Sequence, residues 1–269
     1  MVTVLSPAHH DALTVVARLG FAARGVIYWL IAAFALGAAL RSDQRPHGFT
    51  GAMQAVLDKP LGAVIVIAIA LGLACFAGWL AIDGLTRCRH ARGYQRWLLG
   101  AGMIGDAVFY AGLMLLILGL VFGWRAGGEH EVQSWTAWLL AQHPHGRWLV
   151  GIVGAVLIGG GIGLILWAWT GDIQRPLSLP ARQKRLTEPV SRYGVTGRGA
   201  ALVLIGFYLV AAAIEANPSE AHELGGGLQH LRHTAYGSIA LLLFALAFAA
   251  SGFFDFLEAL YRRTEPQPD

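Results

Sequence analysis

Six long apolar runs alternate with short polar, mostly basic connections along this chain. They cover roughly residues 21–40, 61–82, 104–124, 148–170, 199–214 and 236–254. About 20 apolar residues make a helix long enough to cross a hydrocarbon core of ~30 Å. Backbone placed in lipid must satisfy its own hydrogen bonds, and the runs are continuous rather than alternating, so they predict helices and not barrel strands. The pattern therefore predicts an all-α polytopic membrane bundle of six transmembrane helices in three repeated helical hairpins. Composition agrees: 56% of the 269 residues are hydrophobic and 13% are charged, whereas a soluble domain is near a quarter charged.

The chain also repeats itself. Arg18-Leu-Gly20-Phe-Ala-Ala-Arg24-Gly25 recurs as Arg192-Tyr-Gly194-Val-Thr-Gly-Arg198-Gly199, at the same spacing and 174 residues further on. Half that interval lands near Asp106, which precedes Tyr110 by four residues as Arg24 precedes Tyr28. The second helix of each unit has a common entrance at Pro60-Leu-Gly62, Pro144-His-Gly146 and Ala235-Tyr-Gly237. A unit that crosses the membrane twice keeps its orientation, so the three copies are related by an axis along the membrane normal. The expected divisions are an N-terminal segment over 1–16, repeats over 17–90, 91–175 and 191–262, a linker over 176–190 and a tail over 263–269. Ser6-Pro7 reads as a helix start, and Val15, Val16 and Leu19 give a short following helix an apolar side for the inner leaflet.

Three tandem two-helix units, each opening on Gly-x-x-x-Arg-Gly or Gly-Asp-x-x-Phe, resemble the bacterial membrane family catalogued as domain of unknown function 1206. The resemblance runs from about Ala17 to Arg262. It implies six helices and a location in the plasma membrane. It supplies no activity, no cofactor and no catalytic residue.

Charge sets the expected orientation. Of the 20 Lys and Arg, six lie on one side: Arg41, Arg45, Lys59, Arg125, Arg147 and Arg232. The other 14 lie with both termini, which the positive-inside rule assigns to the cytoplasm. The net charge of +4 is thereby topological and no nucleic-acid partner is implied. The basic connections, such as Arg87-Cys-Arg89 and Arg182-Gln-Lys184-Arg185, are expected against anionic lipid headgroups, with an unidentified membrane protein as a further partner.

Arg24 and Arg198 fall one to two turns inside their helices, and Asp106 matches them in the middle repeat. A charge at such depth costs roughly 2.5–3.5 kcal/mol on insertion scales unless paired. The expectation is a buried cluster in which Asp106 pairs with Arg24, Arg198 or both. The alternative is that the arginines snorkel to lipid phosphates while Asp106 meets solvent or caps a helix.

The remaining candidates are weaker. His143, His145, His230 and His233, in the outer connections beside several glutamates, have the chemistry of a divalent-metal site, but neither pair has the HExxH spacing. None of the six core segments holds a histidine for haem. Asp83-Gly84-Leu-Thr-Arg87 echoes the start of a phospholipid-synthase signature without its later aspartates. Tryptophans near segment ends read as interfacial anchors, and glycines within spans as close helix packing. Three function classes follow: a non-enzymatic structural or accessory component, a small transporter or channel using Asp106 and the arginines, and an enzyme working through outer-face histidines.

Overall fold

A computed structural model describes residues 7–40, 49–89, 93–123, 136–138, 145–174, 177–178, 180–215 and 237–262. Six helices in it are long and apolar enough to cross a membrane, which makes this a multi-pass membrane protein. They are α1 (Pro7–Leu40), α3 (Gly62–Arg89), α4 (Tyr94–Val121), α5 (His145–Thr170), α6 (Ala181–Glu215) and α7 (Gly237–Tyr261), with a short α2 (Phe49–Leu57) before α3. No strand is present among the described residues.

Two boundaries differ from the sequence expectation. The short N-terminal helix and the first span are one rod, because nothing between Pro7 and Leu40 breaks the helix. Likewise α6 begins at Ala181, so two thirds of the expected 176–190 linker is helical. Pro189 sits inside it while the Thr187 and Ser191 hydroxyls donate to carbonyls one turn back. Sequence reasoning also missed α2, which buries Thr50, Ala52 and Met53. The chain reverses from α2 into α3 so tightly that a Cβ on Gly62 would stand 2.0 Å from the Val56 carbonyl oxygen. Gly93, at φ 125°, makes the turn into α4, a conformation that costs glycine little.

In space the helices run in the order α4, α3, α1, α7, α6, α5. The most extensive contacts join the second helix of one repeat to the first helix of the next: α3 with α4, α5 with α6, and α7 with α1. Lipid offers no hydrophobic drive for helix association, so close van der Waals approach must supply it. Reciprocal glycine pairs permit that approach. A Cβ on Gly161 would meet the Gly199 oxygen at 2.5 Å, and one on Gly199 would meet the Gly161 oxygen at 2.6 Å. Gly154 and Gly206 repeat the arrangement two turns along, and Gly25 with Gly252 repeat it between α1 and α7. Gly161 and Gly252 both stand fifteen residues after a matching glycine in the first turn of their helix, Gly146 and Gly237. The corresponding places at the α3–α4 contact are the buried Ala77 and Ala107, and there the glycine pair is Gly84 with Gly100.

Arginines fasten the α5–α6 pair at both ends. Arg192 Nη1 donates to the Ala168 and Trp169 carbonyls at 2.9 and 2.8 Å, and Arg147 donates to the carbonyls of Ala213 and Ile214. Each satisfies carbonyls that a helix C-terminus leaves without a partner and sets a cation at the negative end of its dipole.

The ring is not closed. The paired helices of the first repeat (α1, α3) and of the third (α6, α7) pack on each other, whereas α4 and α5 of the middle repeat have no comparable contact. These two helices are the least covered of the six, and Gly102, Gly105, Gly159 and Gly160 face open space.

Candidate functional site

The repeated Arg-x-Gly-x-x-x-Arg-Gly motif is a two-sided packing device that carries an arginine between its glycines. Gly20 and Gly194 face the second helix of their own repeat: a Cβ there would stand 2.6 Å from Phe76 of α3 or from Ser251 of α7. Gly25 and Gly199, five residues on, face the second helix of another repeat, α7 and α5 respectively. The side chain that precedes each of the latter pair, Arg24 or Arg198, is thereby directed into the junction between helices.

At that junction stands Asp255 of α7, fully buried at 0% exposure. Arg24 engages it with two bonds, Nε to Oδ2 at 2.9 Å and Nη2 to Oδ1 at 2.7 Å. Nη2 of Arg24 also reaches Glu258 Oε2 at 3.2 Å. Arg198 donates to Asp255 Oδ1 and to the Ser251 carbonyl. Arg262 pairs with Glu258 Oε1 one turn along α7. Three guanidinium groups thus share two carboxylates, and the Arg24 and Arg198 side chains are only 11% and 13% exposed.

Aromatic rings wall the network. The Arg24 guanidinium lies 4.5 Å from the Phe76 ring centroid, and Arg198 lies 4.6 Å from that of Tyr28. Arg262 sits between Phe21 and Trp79, at 4.8 and 4.7 Å. These quadrupoles favour a cation when water is excluded. Trp79, expected as an interfacial anchor, is therefore part of the wall. The Arg198 Nε–H is buried and has no partner among the described residues.

The structure brings together two of the three residues expected in the cluster. Arg24 and Arg198 meet on one carboxylate, but that carboxylate is Asp255 and not Asp106. Asp106 is exposed on α4, and no ion pair joins it to either arginine among the described residues. The reason is helix order: α7 lies between α1 and α6, so its side chains see both arginines. Of the expected metal ligands, His143, His230 and His233 lie outside the described residues. His145 is the first residue of α5.

One further repeat-related feature was unread in the sequence. Asp83-Gly-Leu-Thr-Arg87 on α3 matches Glu258-Ala-Leu-Tyr-Arg262 on α7, and each forms an ion pair one turn apart. The apparent synthase signature is thus half of a repeated acid–arginine pair. In the middle repeat Trp167 and Gly171 replace it.

The profile of the family described as Domain of Unknown Function (DUF1206) matches the chain in three tandem segments, over residues 19–87, 101–171 and 193–262. The chain belongs to that family. The DUF1206 segments begin within the first helix and end near the last turn of the second helix of each hairpin, so one family unit is one hairpin. The chain is also 26% identical over 249 residues to uncharacterized protein YxxB of Bacillus subtilis (strain 168), covering 91% of this chain and 90% of that protein. No solved structure matches it.

Proposed function

We propose that this DUF1206 protein is a non-enzymatic structural or accessory component of the bacterial plasma membrane, with both termini in the cytoplasm. The observation that carries this reading is the closure of the ion network. Both oxygens of Asp255 and both of Glu258 are engaged by guanidinium groups, which leaves neither carboxylate free to serve as a base, nucleophile or metal ligand. Buried pairs of this kind hold one arrangement against others, because removing either partner strands a charge. The basic helix ends at the terminal face rest on anionic headgroups, and the molecule's partners are lipids or another membrane protein.

Two measurements test it. Single cysteines at Arg92 and Gln183, in a variant lacking Cys75 and Cys88, are expected to react with an impermeant maleimide only after the cytoplasmic face is opened. Labelling of the two from different faces overturns the three-hairpin topology. Proteoliposomes of the wild type are expected to leak protons no faster than empty liposomes; a flux that Asp255→Asn abolishes while the protein stays folded overturns the structural role.

A second reading, a small transporter or channel, draws on the unpacked α4–α5 pair and on Asp106, which stands exposed on the helix that borders the opening, with no ion pair among the described residues. An ionisable residue within a membrane span is a functional-site candidate by default. It expects flux in the same liposomes that Asp106→Asn abolishes, and flux that survives this substitution excludes it.

A further inference from the structure

On the outer side of α6 and α7 lies a shallow apolar groove of about 570 Å³, lined by Pro189, Val190 and Tyr193 from α6 and by Leu246, Ala250 and Phe253 from α7. The groove does not end in neutral surface. Counting back along α6 in steps of three and four, the face that carries Tyr193, Val190 and Pro189 continues through Leu186 to Arg185 and Arg182, since residues at these spacings are neighbours on one side of a helix. Leu186 is 67% exposed, and both arginines are exposed.

The level of these charges along the membrane normal is fixed by the linker. Ser178 donates through its amide and its hydroxyl to the Tyr261 carbonyl, both at 2.8 Å, so α6 starts where α7 ends. Arg182 and Arg185 therefore stand at the terminal-side boundary. The groove begins about 6–10 Å deeper, at 1.5 Å per residue.

Among the described residues, no acid on this face cancels the two charges. Glu188 is turned to Arg192, 2.7 Å from its Nη2. Pro189 has no N–H, so the Arg185 carbonyl lacks the donor a helix would normally bring from four residues on. That carbonyl lies between the guanidiniums and the groove.

From this geometry we propose that the α6–α7 groove, with Arg182 and Arg185, seats one anionic phospholipid. The phosphate lies against the two guanidiniums, a headgroup or glycerol hydroxyl donates to the Arg185 carbonyl, and one acyl chain lies along Val190, Tyr193 and Phe253. The seat selects charge at one end and apolar surface at the other.

Native mass spectrometry of the full chain tests this after equilibration in bicelles of equal parts phosphatidylcholine and phosphatidylglycerol with identical tails. The wild type is expected to retain phosphatidylglycerol several-fold over phosphatidylcholine. Arg182→Gln with Arg185→Gln brings retention back to the bulk ratio, and so does Val190→Trp, which fills the groove at an exposed position. Lys59→Gln, just before α3 and on the opposite side of the membrane from the two arginines, leaves the preference intact. Retention without headgroup preference in the wild type (contact with annular lipid only), or a preference that persists in both test variants, overturns the seat. The proposal rests on the membrane-embedded reading above. Loss of lipid preference with normal cysteine labelling falls on the seat alone.

Discussion

Asp255→Asn is expected to lower the thermal unfolding midpoint of the detergent-solubilised protein by roughly 10 °C. Removing one partner of a buried ion pair costs about 3–5 kcal/mol, since the remaining charge is left without compensation. For a chain of this size, each kcal/mol shifts the midpoint by about 2–4 °C. Asp255 has two partners, Arg24 and Arg198, so its amide leaves Arg198 without a carboxylate and Arg24 with Glu258 alone, in a site walled by Phe76 and Tyr28. The places equivalent to Asp255 in the other second helices are Leu80 and Leu164, so the backbone geometry there accommodates an apolar side chain. Asp255→Leu combined with Arg24→Met and Arg198→Met is accordingly expected to recover most of the loss, since an apolar set of similar volume avoids desolvating any charge. A midpoint unchanged by Asp255→Asn sinks the assignment of this network as the fastening between the first and third repeats. So does a triple variant no more stable than the single one.

The part of this site that the sequence revealed and the part it hid have different physical origins. Arg24 and Arg198 were legible because a charge between an apolar run and a glycine, repeated at fixed spacing, cannot be a loop residue twice by accident. Asp255 was hidden by its own setting, Phe254-Asp255-Phe256-Leu257, in which a single acid near the end of an apolar run reads as the membrane boundary. Symmetry then misled: equating Asp106 with the arginines supposed that like positions of three repeats meet at the axis. The contacts instead join unlike positions, the first helix of one unit against the second helix of its neighbours. A partner for Arg24 had to be sought on α3 or α7, and the acid–x–x–x–arginine spacing shared by Asp83–Arg87 and Glu258–Arg262 was the available clue. The six helices and their pairing into hairpins needed only periodicity and length. Helix order around the ring depends on which faces carry glycine, which hydropathy does not register.

That dependence yields the second large effect. Gly161→Leu is expected to destabilise the protein by about 1–3 kcal/mol, the usual cost of overpacking a filled contact, with the value at the upper end. The added Cβ would stand 2.5 Å from the Gly199 oxygen and 2.8 Å from a Val203 methyl, and a backbone oxygen cannot rotate away. Relief requires α5 to withdraw from α6, which also opens the Gly154–Gly206 contact and pulls the Ala168 and Trp169 carbonyls off Arg192. Gly159→Ala and Gly160→Ala, on the same helix but facing open space, are expected to leave the midpoint unchanged or raise it, because alanine favours a helix by about 0.8–1.0 kcal/mol over glycine in model hosts. Two glycines apart by one or two residues thus answer oppositely if the stripe is a contact and alike if it is merely composition. Because Gly161 and Gly199 obstruct the same approach, Gly199→Leu added to Gly161→Leu should cost less than the sum of the two singles, the mark of residues in contact. Thermal unfolding of the four variants and the double decides it, and equal losses at Gly159 and Gly161 would remove the glycine pairs as the basis of the α5–α6 interface.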